Sequence, residues 1–123
     1  MHIDKDLVAA SATPLVLGIL ADGESYGYAI LKRVNELSDG RLTWTDGMLY
    51  PLLHRLERLG HVTATWREGP SGRRRKHYAI TQSGLDALRE RQRQWVVVSS
   101  ALDHAWRNVI AASTPTVLAE PAG

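Results

Sequence analysis

Four consecutive cations stand at residues 73–76, directly after a turn rich in glycine and proline. The surrounding segment, residues 69–81, reads GPSGRRRKHYAIT. Guanidinium and ammonium groups bind phosphate oxygens, so the run suits a polyanion such as nucleic acid or an anionic membrane surface. Residues 67–77 carry five cations against one anion, a net charge of +4, whereas the whole chain has a net charge of only +2. The positive charge is therefore local, and it is carried by Arg67, Arg73, Arg74, Arg75 and Lys76.

A second set of polar side chains lies on one face of a helix that we expect to begin near Thr45. At 100° per residue, the leucines of this segment fall within an arc of about 140°, and the opposite face carries Tyr50, His54 and Arg58. These side chains can contact phosphates and base edges, although an ordinary solvated face is the alternative. The predicted DNA-binding residues are Thr45, Gly47, Tyr50, His54 and Arg58 on the helix, and Arg73, Arg74, Arg75 and Lys76 in the cationic run.

The sequence contains no motif typical of a catalytic or metal-binding site. The five histidines lack the spacing of metal ligands, and there is no cysteine, nucleophile motif or glycine-rich phosphate loop. We therefore expect neither an enzyme nor a bound metal or cofactor. The N-terminus lacks the features of a secretory signal, and no stretch approaches the roughly 20 apolar residues of a membrane span. These features favour a soluble cytoplasmic protein with no membrane partner.

The elements that position these residues follow from hydrophobic periodicity. An apolar, helix-favouring segment covers residues 7–21, where Pro14 either starts a new helix or kinks one. A second helix is expected over residues 26–37, capped by Ser25. The third helix begins near Thr45, and a short tight turn over residues 46–50 would accommodate Pro51.

After Gly60 the periodicity changes from 3.6 to 2, which predicts a β-hairpin. Val62, Ala64 and Trp66 alternate with polar neighbours, so we expect Trp66 to be buried in the core. Residues 69–72 form the turn, and the four cations therefore project from the hairpin tip and its return strand. Cations placed there can meet a partner without being desolvated in the fold.

A long helix is expected over residues 82–112, with Thr81 as its N-cap. A heptad seam with alternating spacings of three and four runs along this helix, and it is apolar except at Gln92 and Ser99. At 1.5 Å per residue the helix would be about 45 Å long, more than so small a domain can cover, so we predict a homodimer. Residues 113–123 show no pattern and are expected to be a disordered tail. The predicted dimerisation residues are Leu85, Leu88, Trp95, Leu102, Trp106 and Val109.

This order of elements predicts an α+β fold that is mainly α: a winged helix-turn-helix domain over residues 1–81, a dimerisation helix over 82–112 and a tail over 113–123. In such a domain the third helix enters the major groove, and the hairpin, or wing, contacts the neighbouring backbone or the minor groove. A winged-helix module that binds proteins instead of DNA is the alternative. Four adjacent cations on the wing favour DNA.

Four segments also carry a family resemblance: LADGESYGYAI at residues 20–30, GMLYPLLHRLE at 47–57, GHV at 60–62 and GRRRKHYAIT at 72–81. In order and spacing they resemble the PadR regulators, over about residues 7–95. The resemblance implies a dimeric transcriptional repressor that binds a palindromic operator and is released by a small molecule or a cellular signal. The single helix after Thr81 is similar to the compact subgroup, whose multidrug-sensing members stack planar ligands on a tryptophan of that helix. This similarity implies a site for a planar aromatic effector at Trp95, with Ser99 and Leu7.

Overall fold

The computed structural model describes residues 1–113, with side chains as far as Val109. The elements in chain order are α1 (Lys5–Ala21), β1 (Ser25–Tyr26), α2 (Gly27–Leu37), α3 (Asp46–Arg58), β2 (Val62–Glu68), β3 (Arg74–Ile80) and α4 (Gln82–Ser113). The expected α+β fold, mainly α, is confirmed. Met1–Arg89 forms one compact unit, and a second begins at Glu90, inside α4. Of the predicted tail, Ser113 is still helical, and residues 114–123 lie outside the described residues.

The core of the first unit forms where the apolar faces of α1, α2 and α3 pack together and against the sheet. Leu17, Ile30 and Leu53, one from each helix, are at most 1% exposed. Burial of such side chains is the main force that holds the helices in place. α1 continues through Pro14 as a single helix, so no new helix starts there.

The sheet has three strands instead of the two predicted, in the antiparallel order β1-β3-β2. The additional strand, β1, is two residues long: Ser25 pairs with Tyr78, and Tyr26 pairs with His77. Two residues carry no periodicity, so sequence patterns could not reveal this strand. The prediction that Ser25 caps α2 is wrong, because Tyr26 occupies the N-cap position and makes no side-chain capping bond. β1 therefore fastens the start of α2 to the return strand of the wing.

β2 and β3 form the predicted hairpin, with a register that runs from Val62 opposite Ile80 to Glu68 opposite Arg74. At its turn, the Gly72 N–H donates to the Gly69 carbonyl at 3.0 Å. Gly72 has a φ of +79°, in the left-handed region where a side chain is unfavourable. Gly72 is thus required by the backbone geometry of the turn.

α3 is a single helix from Asp46 to Arg58 with Pro51 inside it, so the separate turn expected over residues 46–50 is wrong. The Leu49 N–H already donates to the Thr45 carbonyl at 3.1 Å, the spacing of an α-helix. The tertiary packing of the leucine face stabilises the helix and outweighs the hydrogen bond that Pro51 removes.

Thr81 is the N-cap of α4, as predicted. Its Oγ1 accepts a hydrogen bond from the Gly84 N–H at 3.1 Å and donates one to the Gly60 carbonyl at 2.6 Å. The same residue therefore satisfies a free donor of the helix and ties the helix start to the turn before β2.

Gly84, in the first turn of α4, leaves no room for a side chain. A Cβ at this position would overlap the backbone carbonyl of His61 and lie 2.7 Å from Ile80 Cγ1. Helix propensity alone favours alanine over glycine by about 1 kcal/mol, but a paired backbone carbonyl cannot move aside cheaply. We expect Gly84→Ala to lower the free energy of unfolding by about 2 kcal/mol, as measured by urea denaturation.

Gly18→Ala is the matched control, because Gly18 lies inside α1 and a Cβ there would meet nothing within 4 Å. This substitution should leave the free energy of unfolding unchanged or raise it by up to about 1 kcal/mol. Equal effects of the two substitutions would show that α4 does not approach His61 as closely as described.

Candidate nucleic-acid interface

α3 has one buried and one exposed face, as its leucine spacing predicts. The exposed face carries Gly47, His54 and Arg58, and the N-cap residue Thr45 is exposed beside them. Tyr50 is 37% exposed. All five helix residues predicted to contact DNA are therefore accessible, while the buried face consists of Leu49, Leu52, Leu53 and Leu56.

Tyr50 lies at the edge of this face, over the first residue of α2. A Cβ at Gly27 would overlap the Tyr50 hydroxyl and lie 2.8 Å from its Cζ. Only glycine permits this close approach of the ring to the backbone. The contact fixes the direction of the Tyr50 side chain and couples the start of α2 to α3.

α3 is also tied to α1 by a side-chain hydrogen bond that the sequence did not suggest. Arg55 Nη2 donates to Thr13 Oγ1 at 3.1 Å. The two residues are 42 positions apart, so no local pattern could pair them. Together with the leucine face, this bond sets the orientation of the exposed residues of α3.

The four cations of the wing do not all project, which corrects the expectation from the sequence. Arg73 and Arg74 are exposed, but Arg75 and Lys76 are half-buried. The Arg75 guanidinium carbon lies 4.5 Å from the centroid of the Tyr26 ring, an attractive cation–π contact. Because side chains alternate along a strand, Arg75 and Lys76 point to opposite faces of the wing.

Lys76 joins the wing to α3. Its Nζ lies 3.8 Å from the carboxylate of Glu57, with both side chains partly exposed. An ion pair in this setting contributes little stability. The pair shows instead where the return strand meets the helix that carries His54 and Arg58.

On the opposite face of the wing, Glu24 holds both long strands. Its carboxylate accepts a hydrogen bond from Arg67 Nη2 at 3.0 Å, and Arg67 Nε lies 2.5 Å from the other carboxylate oxygen in an ion pair. His77 Nδ1 lies 3.5 Å from the same carboxylate, without the alignment of a hydrogen bond. Glu24 and Arg67 are 43 residues apart, so sequence patterns did not identify this contact. The pair fixes the wing against the segment that precedes α2.

Tyr78 is buried beneath β3 between the wing and α3. Burial raises the pKa of its hydroxyl above the ordinary value of 10.0, and the nearby Glu57 and Tyr50 raise it further. The phenol is neutral when protonated, so the raised pKa has no effect on stability below about pH 10. Above that pH the fold disfavours ionisation, and stability falls as the pH rises. At physiological pH Tyr78 is a neutral part of the core.

Trp66 is 56% exposed, so the prediction that it belongs to the core is wrong. Along the same face of β2, Val62 is buried and Ala64 is half-buried, but Trp66 and Glu68 are exposed. The helices therefore cover only the base of the hairpin, and its outer half extends beyond them. Periodicity correctly placed Trp66 on the apolar face of β2, but it could not show how far along the hairpin the helices cover that face.

The apolar residues of α4 divide into two groups. Leu88 belongs to the core of the first unit, with an exposed fraction of 8%, and Leu85 is half-buried. Beyond Glu90 the predicted seam is exposed, with fractions of 47% for Trp95 and 51% for Trp106. Leu102 and Val109 are also exposed. Within the second unit, the apolar residues of the predicted seam from Trp95 to Val109 are therefore exposed.

The residues predicted to bind an effector, Leu7, Trp95 and Ser99, are exposed in the parts of the chain to which they belong. The first unit also contains cavities of about 730 Å³ and about 630 Å³, neither of which is lined by Leu7. Among the described helices, none is both long and apolar enough to span a bilayer.

A model of the transcriptional regulator PadR-like family matches residues 16–90, which include α2, α3 and the whole wing. The chain is 31% identical over 80 residues to the transcriptional regulator YqjI of Escherichia coli. The matched region covers 65% of this chain but 37% of YqjI. This chain is also 24% identical over 101 residues to an uncharacterized protein of Lysinibacillus sphaericus. The matched region covers 82% of this chain and 93% of that protein.

Solved structures resemble the chain over a similar extent. A PadR family transcriptional regulator from Eggerthella lenta has a TM-score of 0.70 at 35% identity, with 81% of this chain and 85% of that chain covered. A PadR-like transcriptional regulator from Bacillus cereus has a TM-score of 0.72 at 27% identity, with 82% and 96% covered. The winged-helix architecture and the long last helix are shared with these proteins.

Proposed function

The chain belongs to the transcriptional regulator PadR-like family, and from this premise we propose that it is a homodimeric repressor that binds a palindromic operator in double-stranded DNA. DNA binding and repression are general in this family, whose members are regulators and not enzymes. The observation that carries the proposal is the junction of α3 and the wing. Lys76 on the wing pairs with Glu57 on α3, so the face of the wing that carries Arg74 and Lys76 lies next to the exposed His54 and Arg58.

In this proposal the two parts of the surface have different tasks. Phosphates are bound by the wing cations Arg73, Arg74, Arg75 and Lys76, which gives affinity for any duplex through release of counterions. The exposed face of α3 enters the major groove, where donors and acceptors on base edges differ among the four base pairs. The wing thus supplies most of the affinity, and α3 supplies the choice of sequence.

A homodimer follows from the exposed apolar residues of α4 and from the geometry of operators. Two copies present two α3 helices to successive major grooves, about 34 Å apart, and so bind a palindrome. Trp95, Leu102 and Trp106 form the contact between the copies. The protein acts in the cytoplasm, where it controls genes next to its operator.

Release by an effector is the finer part of the proposal. A planar aromatic compound held at Trp95, with Ser99 and Leu7, would change the separation of the two α3 helices and lower the affinity for the operator. In the wild type such a compound should quench tryptophan fluorescence and dissociate the DNA complex, whereas Trp95→Ala should respond in neither way. An operator complex insensitive to every planar compound tried would remove this part of the proposal.

A winged-helix module that binds only proteins is the rival function. Such a module has no need for adjacent arginines exposed at the wing tip, where Arg73 and Arg74 lie. The rival predicts no affinity for duplex DNA at any salt concentration.

Electrophoretic mobility shift with the DNA upstream of the protein's own coding region tests the function most directly. The full chain should shift this fragment at concentrations that leave a scrambled fragment of the same length free. His54→Ala should reduce the ratio of the two affinities about tenfold, because a base-edge contact is lost. A uniform loss on both fragments would instead make His54 a backbone contact, and the absence of any shift at low ionic strength would refute DNA binding.

A further inference from the structure

Trp66 is the exposed aromatic side chain of the wing that the proposed division of tasks does not use. It lies on β2 opposite Lys76 of β3, and 56% of its surface is accessible. Within the described wing strands, no other large apolar side chain is exposed. An exposed tryptophan alone does not identify a binding partner. The residues around it indicate which partner it suits.

Those surroundings are cationic. The guanidinium carbon of Arg74 lies 5.3 Å from the centroid of the Trp66 ring. Lys76, its cross-strand neighbour, projects from the same face of the hairpin. The indole thus lies between an exposed cation at the tip and a cation that pairs with Glu57 of α3.

The face of the hairpin that carries Trp66 is the one turned toward α3. Alternation along the strands places Trp66 on the same face as Tyr78, which is buried against the core. Trp66 therefore stands at the outer end of the face that packs against the core and, through Lys76, adjoins α3. A duplex bound by α3 and the wing tip would pass over this position.

We propose that Trp66 contacts the DNA backbone directly, with the indole ring packed on deoxyribose and its N–H donated to the phosphate that Arg74 binds. This inference rests on the proposed function. A duplex satisfies both properties of the site, because its backbone alternates an apolar sugar with an anionic phosphate. A protein partner that anchored on Trp66 would instead have to accommodate the cations on either side of it.

The contact has an electrostatic signature that separates it from the arginines. Trp66 is uncharged, so a variant without it releases as many counterions on binding DNA as the wild type does. The salt dependence of binding is therefore unchanged. Removal of Arg74 flattens that dependence. We expect Trp66→Ala to lower the affinity about tenfold or more at every salt concentration, with the slope of wild type, because a hydrogen bond to a charged group and its packing are lost.

Trp66→Phe is the matched variant, since it keeps an aromatic ring beside Arg74 but has no N–H to donate. Its affinity should fall between those of wild type and Trp66→Ala. Both substitutions lie on an exposed side chain, and thermal unfolding of each variant checks that the fold is intact.

A double-mutant cycle separates direct contact from support of Arg74. If Trp66 contacts DNA itself, Trp66→Ala must still weaken binding when Arg74 is already alanine. If Trp66 acts only by orienting Arg74, the second substitution has no further effect, and the inference is overturned.

Fluorine NMR of the full chain labelled with 5-fluorotryptophan observes the contact without a substitution in the measured sample. The resonance of Trp66, assigned by its absence in Trp66→Phe, should shift when a duplex is added. A wild type that binds duplex while this resonance stays unchanged overturns the inference and leaves the proposed function intact. A resonance that shifts with protein concentration in the absence of DNA also overturns it, in favour of self-association. A wild type that binds no duplex refutes the proposed function and the inference together.

Discussion

Replacing Arg74 and Arg75 with alanine should lower the affinity for every duplex by about 10³-fold at 0.1 M salt. If each wing engages about four phosphates, a dimer engages about eight, and the logarithm of the affinity falls with the logarithm of the salt concentration at a slope of about −7. The double substitution removes about four of these contacts, so the slope should flatten to about −3.6. Fluorescence anisotropy with a labelled duplex, titrated at several salt concentrations, measures both quantities.

The control removes the same number of positive charges elsewhere. Arg33 and Arg89 are exposed, and each lies within 4.0 Å of an acidic side chain three residues away on its own helix. Arg33→Ala with Arg89→Ala should leave the slope near that of wild type. If this variant flattens the slope as much as the wing variant does, the binding depends on net charge and the wing assignment fails.

Arg75 should contribute to DNA binding differently from Arg74, because it stacks on Tyr26 and is half-buried. Its guanidinium is held in one place before DNA arrives, so it loses less conformational freedom on binding than the exposed Arg74. Arg75→Lys, which retains the charge but not the planar group, should keep most of the salt slope and lose part of the affinity.

Leu102→Lys should convert the dimer to a monomer and weaken operator binding by at least 100-fold. Leu102 is 40% exposed in the described chain and lies on the same side of α4 as Trp95 and Trp106. In a dimer through that side, the ammonium group would be buried without a partner, at a cost of several kcal/mol. A monomer also loses the gain from engaging two half-sites at once. Sedimentation equilibrium measures the first effect and operator titration the second.

Ser100→Lys is the matched control, because it adds the same charge two residues away on the opposite side of α4. At 100° per residue, Ser100 lies about 140° from Trp95, away from the seam. This variant should remain a dimer and bind the operator as wild type does. Dissociation of both variants would show that the helices do not meet through the predicted seam, and a monomeric wild type would refute the homodimer.

Much of the fold could be predicted because its signals are local. The leucine spacing predicted the buried face of α3, the change of period predicted the hairpin, and Thr81 was identified as the N-cap of α4. The two-residue strand β1 and the course of α3 through Pro51 could not be predicted. Both depend on packing against distant segments, which overrides local propensity.

The candidate interface divides in the same way. By itself, the sequence determined which residue types occupy the exposed face of α3 and the wing, since strand and helix periods follow from the order of side chains alone. Only the tertiary structure decided how these residues are held. It paired Glu57 with Lys76 and Glu24 with Arg67, across separations in the chain that no pattern spans. It also exposed Trp66, because whether a side chain on the apolar face of a strand is buried depends on how far the underlying helices extend, and here their cover ends before the tip of the hairpin.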